Sequence, residues 1–253
     1  DGRRAESLFA ECLAAHGGDL REAVDDLSVA ITGEWGALIK KVQPLVTDFR
    51  YRIDSQERLL PKERYYAVKW TGPAGTKTVL RGEQSVRVFY NGEESEDPDV
   101  LGSSALTSDA FQLFHFGPSF LHWNGAKPVR LADAKLDGES YYRLYFELAP
   151  GFGQSPRDEA VVYIDKETLL MHRVWITLEG YRTTKGATVD VTFLDYETVA
   201  GLTLPVRFVE RVRAPISIHA HAWETKDIEA NRGYRKDELD SAQWTGPAQP
   251  AVE

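Results

Sequence analysis

A two-residue alternation of apolar and polar side chains runs through the C-terminal half of the chain, and it constrains the fold more than any other feature. This period is typical of half-buried β-strands, in which successive side chains point to opposite faces. It predicts five consecutive strands at residues 160–164, 171–181, 187–197, 202–213 and 217–228. Short turn-like segments separate them, and strands joined by short connections are antiparallel neighbours. The chain therefore needs a large antiparallel sheet.

The same alternation occurs earlier in the chain. It predicts strands at residues 27–32, 47–53, 85–90 and 141–148. Asn91-Gly92 predicts a turn, and the acidic residues 93–99 that follow predict a solvated loop. Nine or ten antiparallel strands in total must bury an apolar face against a second layer.

Helical patterns can supply that second layer. Residues 4–15 place Leu8, Phe9 and Cys12 on one face of a helix, and residues 19–25 predict a second, short helix. Residues 107–123 predict a third, aromatic-rich helix that Gly117-Pro118 should break. We therefore predict a mainly β, α+β fold in which a curved antiparallel sheet covers a few helices. Such an arrangement can pack solid or leave a cleft for a ligand.

Composition excludes several classes of function. The chain has 30 Lys and Arg against 39 Asp and Glu, a net charge of −9, so we expect no nucleic-acid partner. A single cysteine, Cys12, cannot form an internal disulfide. No run approaches the ~20 apolar residues of a transmembrane segment. The chain opens at Asp1 without a signal-like segment, and we expect that a targeting signal or lipid anchor has been cut off.

Motifs for catalysis are missing from the sequence. It contains neither the Gly-x-Ser-x-Gly turn of α/β-hydrolases nor a P-loop or dinucleotide-binding glycine motif. His219 and His221, two apart on a predicted strand, could share a face and bind a metal with His115 or His122, but no cluster of Asp, Glu and His residues fixes a coordination set. We therefore expect no catalytic residue, cofactor or metal, and a protein that is not an enzyme.

Three segments carry a resemblance to a known family: Ala14-Ala15-His16-Gly17-Gly18, residues 161–174 (VVYIDKETLLMHRV) and residues 193–207 (FLDYETVAGLTLPVR). In order and spacing they resemble the outer-membrane lipoprotein carrier superfamily (LolA/LolB-like). The resemblance implies an incomplete antiparallel β-barrel with helices packed in its concave side. It also implies a carrier in the periplasm or cell envelope that shields acyl chains, with a lipid or lipidated protein as partner. We expect a single LolA-like domain over residues 1–232 and a polar, loosely held C-terminal tail over residues 233–253.

Aromatic residues are the strongest candidates for ligand binding. The segment around Phe111 to Trp123 holds more apolar area than its own helix can hide, so it either plugs the concave side or acts as a movable lid that gives way to lipid. We predict a ligand-binding lining of Phe49, Tyr51, Trp70, Phe89, Phe111, Phe114, Phe116, Trp175 and Phe193. These faces are assigned from alternation, and a one-residue slip would reverse a strand.

Two functions are compatible with these patterns. The first is non-enzymatic binding of a lipid or lipoprotein acyl chain by a carrier or chaperone of the cell envelope. The alternative is a structural or interaction module with a solid core, whose exposed sheet edge recruits a protein partner, for example another envelope protein.

Overall fold

The computed structural model describes residues 4–244, and its main element is one antiparallel sheet of 13 strands. The strands are β1 Leu27–Trp35, β2 Asp54–Leu60, β3 Tyr65–Gly72, β4 Gly75–Arg81, β5 Val86–Tyr90, β6 Glu93–Ser95, β7 Val129–Leu136, β8 Glu139–Leu148, β9 Asp158–Asp165, β10 Met171–Thr177, β11 Thr188–Val199, β12 Leu202–Ala214 and β13 Ile218–Ala230. Their spatial order is β6-β5-β4-β3-β2-β1-β13-β12-β11-β10-β9-β8-β7. The two ends of this order do not pair, so the sheet forms an incomplete β-barrel, which confirms the predicted fold class.

Within residues 4–244, six α-helices and a short 3-10 helix at Phe152–Gln154 accompany the sheet. The α-helices are α1 Ala5–Ala15, α2 Leu20–Ala23, α3 Ile39–Val42, α4 Pro44–Thr47, α5 Pro98–Trp123 and α6 Lys236–Leu239. Helix α5 lies on the concave side, where its buried residues form the main core together with α1 and the inward side chains of the strands. Phe9 of α1, for example, contacts Phe146 of β8 at a ring-centroid distance of 5.0 Å. The prediction of helices inside a curved sheet is therefore confirmed.

Helix α5 is longer than the sequence predicted. It begins at Pro98, where the side chain of Asp97 accepts a hydrogen bond from the Asp99 N–H, an N-cap arrangement. The acidic residues 93–99 are mostly exposed, as predicted, but they are not one loop, since Glu93–Ser95 form β6 and α5 begins at Pro98. The expected interruption is present, because Gly117 has a φ of 46° and a ψ of −121° and kinks the helix before Pro118.

The strand predicted at residues 47–53 is wrong. Thr47 ends α4, which Pro44 starts, and Asp48 then adopts a left-handed conformation with a φ of 44°. The apolar alternation of this segment arises from a compact turn, whose buried residue Arg52 donates a hydrogen bond to the Val46 carbonyl at 2.7 Å.

A smaller apolar cluster lies on the opposite, convex face of the sheet. It contains Leu60, Tyr65, Leu80 and Phe89, and the fully buried Leu239 of α6 covers it. The Tyr65 hydroxyl donates to Asp240 at 3.0 Å. The C-terminal segment is thus packed on the sheet as far as residue 244, rather than loosely held, while residues 245–253 of the expected tail lie outside the described residues. The division into a domain and a tail at residue 232 stays a prediction.

His16 joins α1 to two distant strands. Its Nδ1 lies 3.0 Å from the Thr203 carbonyl oxygen, and its Nε2 accepts a hydrogen bond from the Met171 N–H at 3.1 Å. An imidazole that donates from one nitrogen and accepts at the other must be neutral. Burial lowers the pKa of His16 to about 4, although the hydrogen bond to Thr203 opposes this shift.

We expect acid to weaken the fold through His16. In the unfolded chain its pKa is near the ordinary 6.5, so its contribution is complete above that pH and is lost as the pH falls toward about 4. Between pH 8 and pH 5 the loss should be about 2 kcal/mol. Urea unfolding of the wild type and of His16→Gln across this range measures it. The variant should show a shallower dependence on pH, and equal slopes would contradict the prediction.

Candidate functional site

A mainly apolar cavity of about 260 Å³ lies between α5 and the concave face of the sheet. We call it the inner cavity. Its walls come from α3 and α4, from one face of α5, from the β10–β11 connection and from β11, β12 and β13. The apolar lining residues include Trp35, Ile39, Val46, Leu106, Ala110, Phe111, Phe114, Leu178, Val189, Val212, Ile218 and Ala220. The protein's own side chains therefore do not fill the concave side completely, as a solid core would require.

The spacing of residues in α5 explains its contribution to this wall. Leu106, Ala110 and Phe114 are four residues apart and therefore lie on one helix face. Beside them, Phe111 stacks on Trp223 of β13 at a ring-centroid distance of 5.1 Å. Ala110 is small and leaves space between Leu106 and Phe114, so the same helix face both lines the cavity and leaves part of its volume empty.

Besides the exposed Lys185, two ionisable side chains, Arg52 and Glu210, reach this mainly apolar space. Arg52 is only 2% exposed, and its guanidinium lies over the rings of Trp35, Trp70 and Phe111 at 5.1, 4.8 and 5.0 Å. Glu210 of β12 also lines the cavity, and burial raises its pKa to about 7 despite the opposing charge of Arg52. The cavity thus combines a permanent cation with a carboxyl group that titrates near neutrality.

A buried polar network lies behind Arg52. Glu57 of β2 accepts hydrogen bonds from Ser55 at 2.8 Å and from the Tyr66 hydroxyl, and it lies 3.2 Å from His115 Nε2. Burial alone would raise the pKa of Glu57, but these three partners together hold it below its ordinary value.

Lys77 and Asp48 form a second buried pair in the same region. Lys77 Nζ donates to Asp48 at 2.8 Å, and the Tyr90 hydroxyl donates to the same carboxylate oxygen at 2.6 Å. Burial lowers the pKa of Lys77 to about 8, with Asp48 opposing the shift. These charged groups already have partners within the protein.

The entrance of the inner cavity is bridged by Gln43 and Thr183. Gln43 Nε2 donates to the Thr183 carbonyl and Thr183 Oγ1 donates to Gln43 Oε1, both at 2.7 Å. Beside this bridge, Val42 and Ile216 are 49% and 51% exposed although both also line the cavity. An apolar ligand would meet apolar side chains at the surface before it entered.

The structure distributes the nine predicted lining residues over several locations. Phe111 and Phe114 line the inner cavity. Trp70, Phe116 and Phe193 lie on the concave side but pack inside the main core. Phe49 and Tyr51 lie in the turn after α4, where Phe49 packs near Trp35 and Tyr51 contacts Tyr90 at 4.7 Å. That any of the nine binds a ligand stays a prediction.

The assignment of Phe89 and Trp175 to the concave side is wrong. Phe89 belongs to the convex cluster, whereas its neighbour Val88 packs in the main core. Successive side chains of a strand point to opposite faces, so Phe89 points away from the concave side. In β10 the main core takes Val174 and Ile176, so the partly exposed Trp175 between them points the other way. Large apolar residues occur on both faces of these strands, and size alone does not identify the inward face.

The histidines are not arranged as a metal site. His221 is buried between Trp35 and Trp223, at ring-centroid distances of 3.8 and 4.5 Å, whereas His219 is exposed. A register shift between β12 and β13 next to these residues breaks the alternation that would have put both rings on one face. Within residues 4–244 no group of three or more His, Cys, Asp or Glu residues could hold a metal ion.

A second cavity, also of about 260 Å³, is more polar and lies near the kinked end of α5. Its charged residues include Arg64, Arg81, Glu83 and Asp109. Arg81 is paired with Asp109 at 2.8 Å and Arg64 with Glu83 at 2.5 Å. Because these charges satisfy one another, the inner cavity is the better candidate for a ligand site.

In the part of the chain that the structure describes, no helix has the length and apolar character needed to cross a membrane. Helix α5 is long, but it carries polar residues such as Asp109 and Gln112 along its course.

Sequence comparisons give no relative of this chain. No protein-family model matches it, and no curated protein matches it.

Solved structures, in contrast, show a clear likeness of fold. A LolA superfamily protein from Nitrosomonas europaea is similar with a TM-score of 0.54 and 12% sequence identity, over 94% of this chain and 98% of the other. A DUF1329 family protein from Desulfovibrio piger is similar with a TM-score of 0.56 and 13% identity, over 93% of this chain and 96% of the other. The recognition made from the three sequence segments is confirmed at the level of the fold: this chain has a LolA-like fold.

Proposed function

We propose that this protein binds a lipid or the acyl chain of a lipoprotein in the inner cavity, as a carrier or chaperone of the periplasm or cell envelope. It performs no chemistry on that ligand. The observation that carries the proposal is the apolar cavity between α5 and the sheet, with Val42 and Ile216 exposed at its entrance. The resemblance to the LolA superfamily adds the carrier role and the envelope location.

The size of the cavity limits the ligand that fits without rearrangement. A water molecule occupies about 30 Å³ in the liquid, and a methylene group is of similar size. The cavity of about 260 Å³ therefore has room for about nine methylene groups, which is one segment of one acyl chain. A lipid with several chains would require α5 or the α3–α4 segment to move, and the Gln43–Thr183 bridge would then have to open.

Filling the cavity with a tryptophan tests the proposal. Val212 of β12 lines the inner cavity, whereas Val209 of the same strand lies outside its lining. We expect Val212→Trp to weaken binding of N-phenyl-1-naphthylamine, a neutral apolar fluorescent probe, by at least about tenfold, which corresponds to ~1.4 kcal/mol. Val209→Trp adds the same side chain elsewhere and should leave the affinity within about twofold of the wild type.

Circular dichroism and urea unfolding would show that both variants fold, since overpacking costs about 1–3 kcal/mol. Probe binding that is equal in the two variants would place the site outside the inner cavity. A wild-type protein that binds neither the probe nor any co-purified lipid would overturn the carrier proposal and favour the module that recruits a protein partner.

A further inference from the structure

Arg52 is a buried cation without a carboxylate partner. Its Nη1 donates to the Val46 carbonyl at 2.7 Å, and its buried Nε has no hydrogen-bond partner. Among residues 4–244 no Asp or Glu forms an ion pair with it, although every other buried cation described above has one. A charged group that is nine-tenths or more buried is normally paired, because removing it from water is costly.

The acidic residues closest to Arg52 are engaged elsewhere. Asp48 pairs with Lys77, and Glu57 is held by Ser55, Tyr66 and His115. Glu210 shares the cavity with Arg52 but forms neither an ion pair nor a hydrogen bond among the described residues, and its raised pKa leaves it largely uncharged below pH 7. The unsatisfied donor of Arg52 is therefore free for a group that enters the cavity.

The surroundings of Arg52 define what that group can be. The aromatic rings of Trp35, Trp70 and Phe111 lie around the guanidinium. The remaining wall is mainly apolar, and its other polar members are Glu210, Lys185, Gln43 and a few threonines. A planar fork of N–H donors matches the two oxygens of a carboxylate. A ligand that satisfies both features has an anionic end and one alkyl chain.

Building on the proposed function, we propose that Arg52 binds the carboxylate of a single-chain fatty acid whose alkyl chain occupies the inner cavity. The carboxylate supplies the missing partner of the guanidinium, and the chain replaces empty apolar volume. Glu210 tunes this selectivity: in its neutral form it can donate a hydrogen bond to the ligand, and in its ionised form it repels it. Arg52 and Asp190 are the charged groups that shift the pKa of Glu210. His221 is its register partner on β13, and Lys185 of the β10–β11 connection lines the same cavity.

Competition between two ligands of equal chain length measures the contribution of the headgroup to affinity separately from that of the alkyl chain. Decanoate and 1-decanol would each displace N-phenyl-1-naphthylamine from the wild-type protein, and we expect decanoate to be preferred by at least about tenfold at pH 6.5. Arg52→Met should abolish this preference while decanol still displaces the probe. Arg52→Lys, which keeps the charge but not the fork, should retain part of it.

Glu210→Gln keeps the test decisive if the Arg52 variants do not fold. At pH 8 it removes a largely ionised carboxylate, so decanoate should bind severalfold more tightly than to the wild type while decanol is unaffected. Equal binding of acid and alcohol by the wild type, or a preference that persists in Arg52→Met, would overturn the headgroup proposal but leave the carrier proposal intact. Failure of the probe and of both ligands would overturn the carrier proposal itself.

Discussion

Arg81→Met should lower the free energy of unfolding by about 3–5 kcal/mol, because it leaves a buried carboxylate without its partner. Arg81 of β4 and Asp109 of α5 are 5% and 8% exposed. Arg81 Nε and Nη2 donate to the two Asp109 oxygens at 2.8 and 2.9 Å. Asp109 also accepts the Gly153 N–H at 2.8 Å, so it ties α5 to two other parts of the fold. Urea unfolding measures the loss.

The neighbouring strand offers a matched control. Arg87 of β5 makes the same two-bond contact with Glu94, at 2.8 and 2.9 Å, but both side chains are more than 40% exposed. Arg87→Met should therefore cost less than about 1 kcal/mol. The double variant Arg81→Met/Asp109→Leu should recover part of the loss, because it removes the orphaned charge. Equal costs for Arg81→Met and Arg87→Met would show that burial does not set the strength of these pairs.

The strands of the C-terminal half were predictable because one face of each strand is buried and the other is not. In β8, for example, the buried Leu144, Phe146 and Leu148 alternate with the less buried Arg143, Tyr145 and Glu147. The bounds were less predictable. The predicted strand 171–181 ends at Thr177, and the aromatic helix begins at Pro98 rather than near residue 107, since polar residues such as Ser103 and Ser104 are buried there. A buried serine counts as polar in the apolar–polar pattern, so the pattern does not indicate that it is buried.

The cavity was only partly predictable. Phe111 and Phe114 were identifiable because a helix so crowded with aromatics must contact something. The charged residues Arg52, Glu57 and Glu210 were missed, because charged side chains normally indicate a solvated face. Glu57 left one signal: it shares the parity of Leu59 and not of Arg58, so it lies on the apolar face of β2. Arg52 occupies a polar position in the alternation of residues 47–53, so the pattern predicted an exposed side chain, and only the turn found there buries it.

The segment Ala14–Gly18 is one of the three that resemble the LolA superfamily. Its two glycines have similar backbone conformations but different neighbouring atoms. Gly17 and Gly18 have φ values of +97° and +90°, in the region that disfavours any side chain. A Cβ on Gly17 would overlap the carbonyl oxygen of Gly201 in the β11–β12 turn, whereas a Cβ on Gly18 would meet nothing within 4 Å. The close approach lets the His16 carbonyl accept the Thr203 N–H at 3.1 Å.

Gly17→Ala should therefore destabilise the fold more than Gly18→Ala. Both variants carry the cost of a left-handed alanine, about 1–2 kcal/mol, and only Gly17→Ala adds the overlap with Gly201, about 1–3 kcal/mol more. Urea unfolding of the two variants measures the difference directly, because the backbone cost cancels between them. If the two alanines cost the same, α1 does not depend on this close approach to stay on the sheet, and the buried side chains of Leu8, Phe9, Cys12 and His16 are sufficient to hold it there.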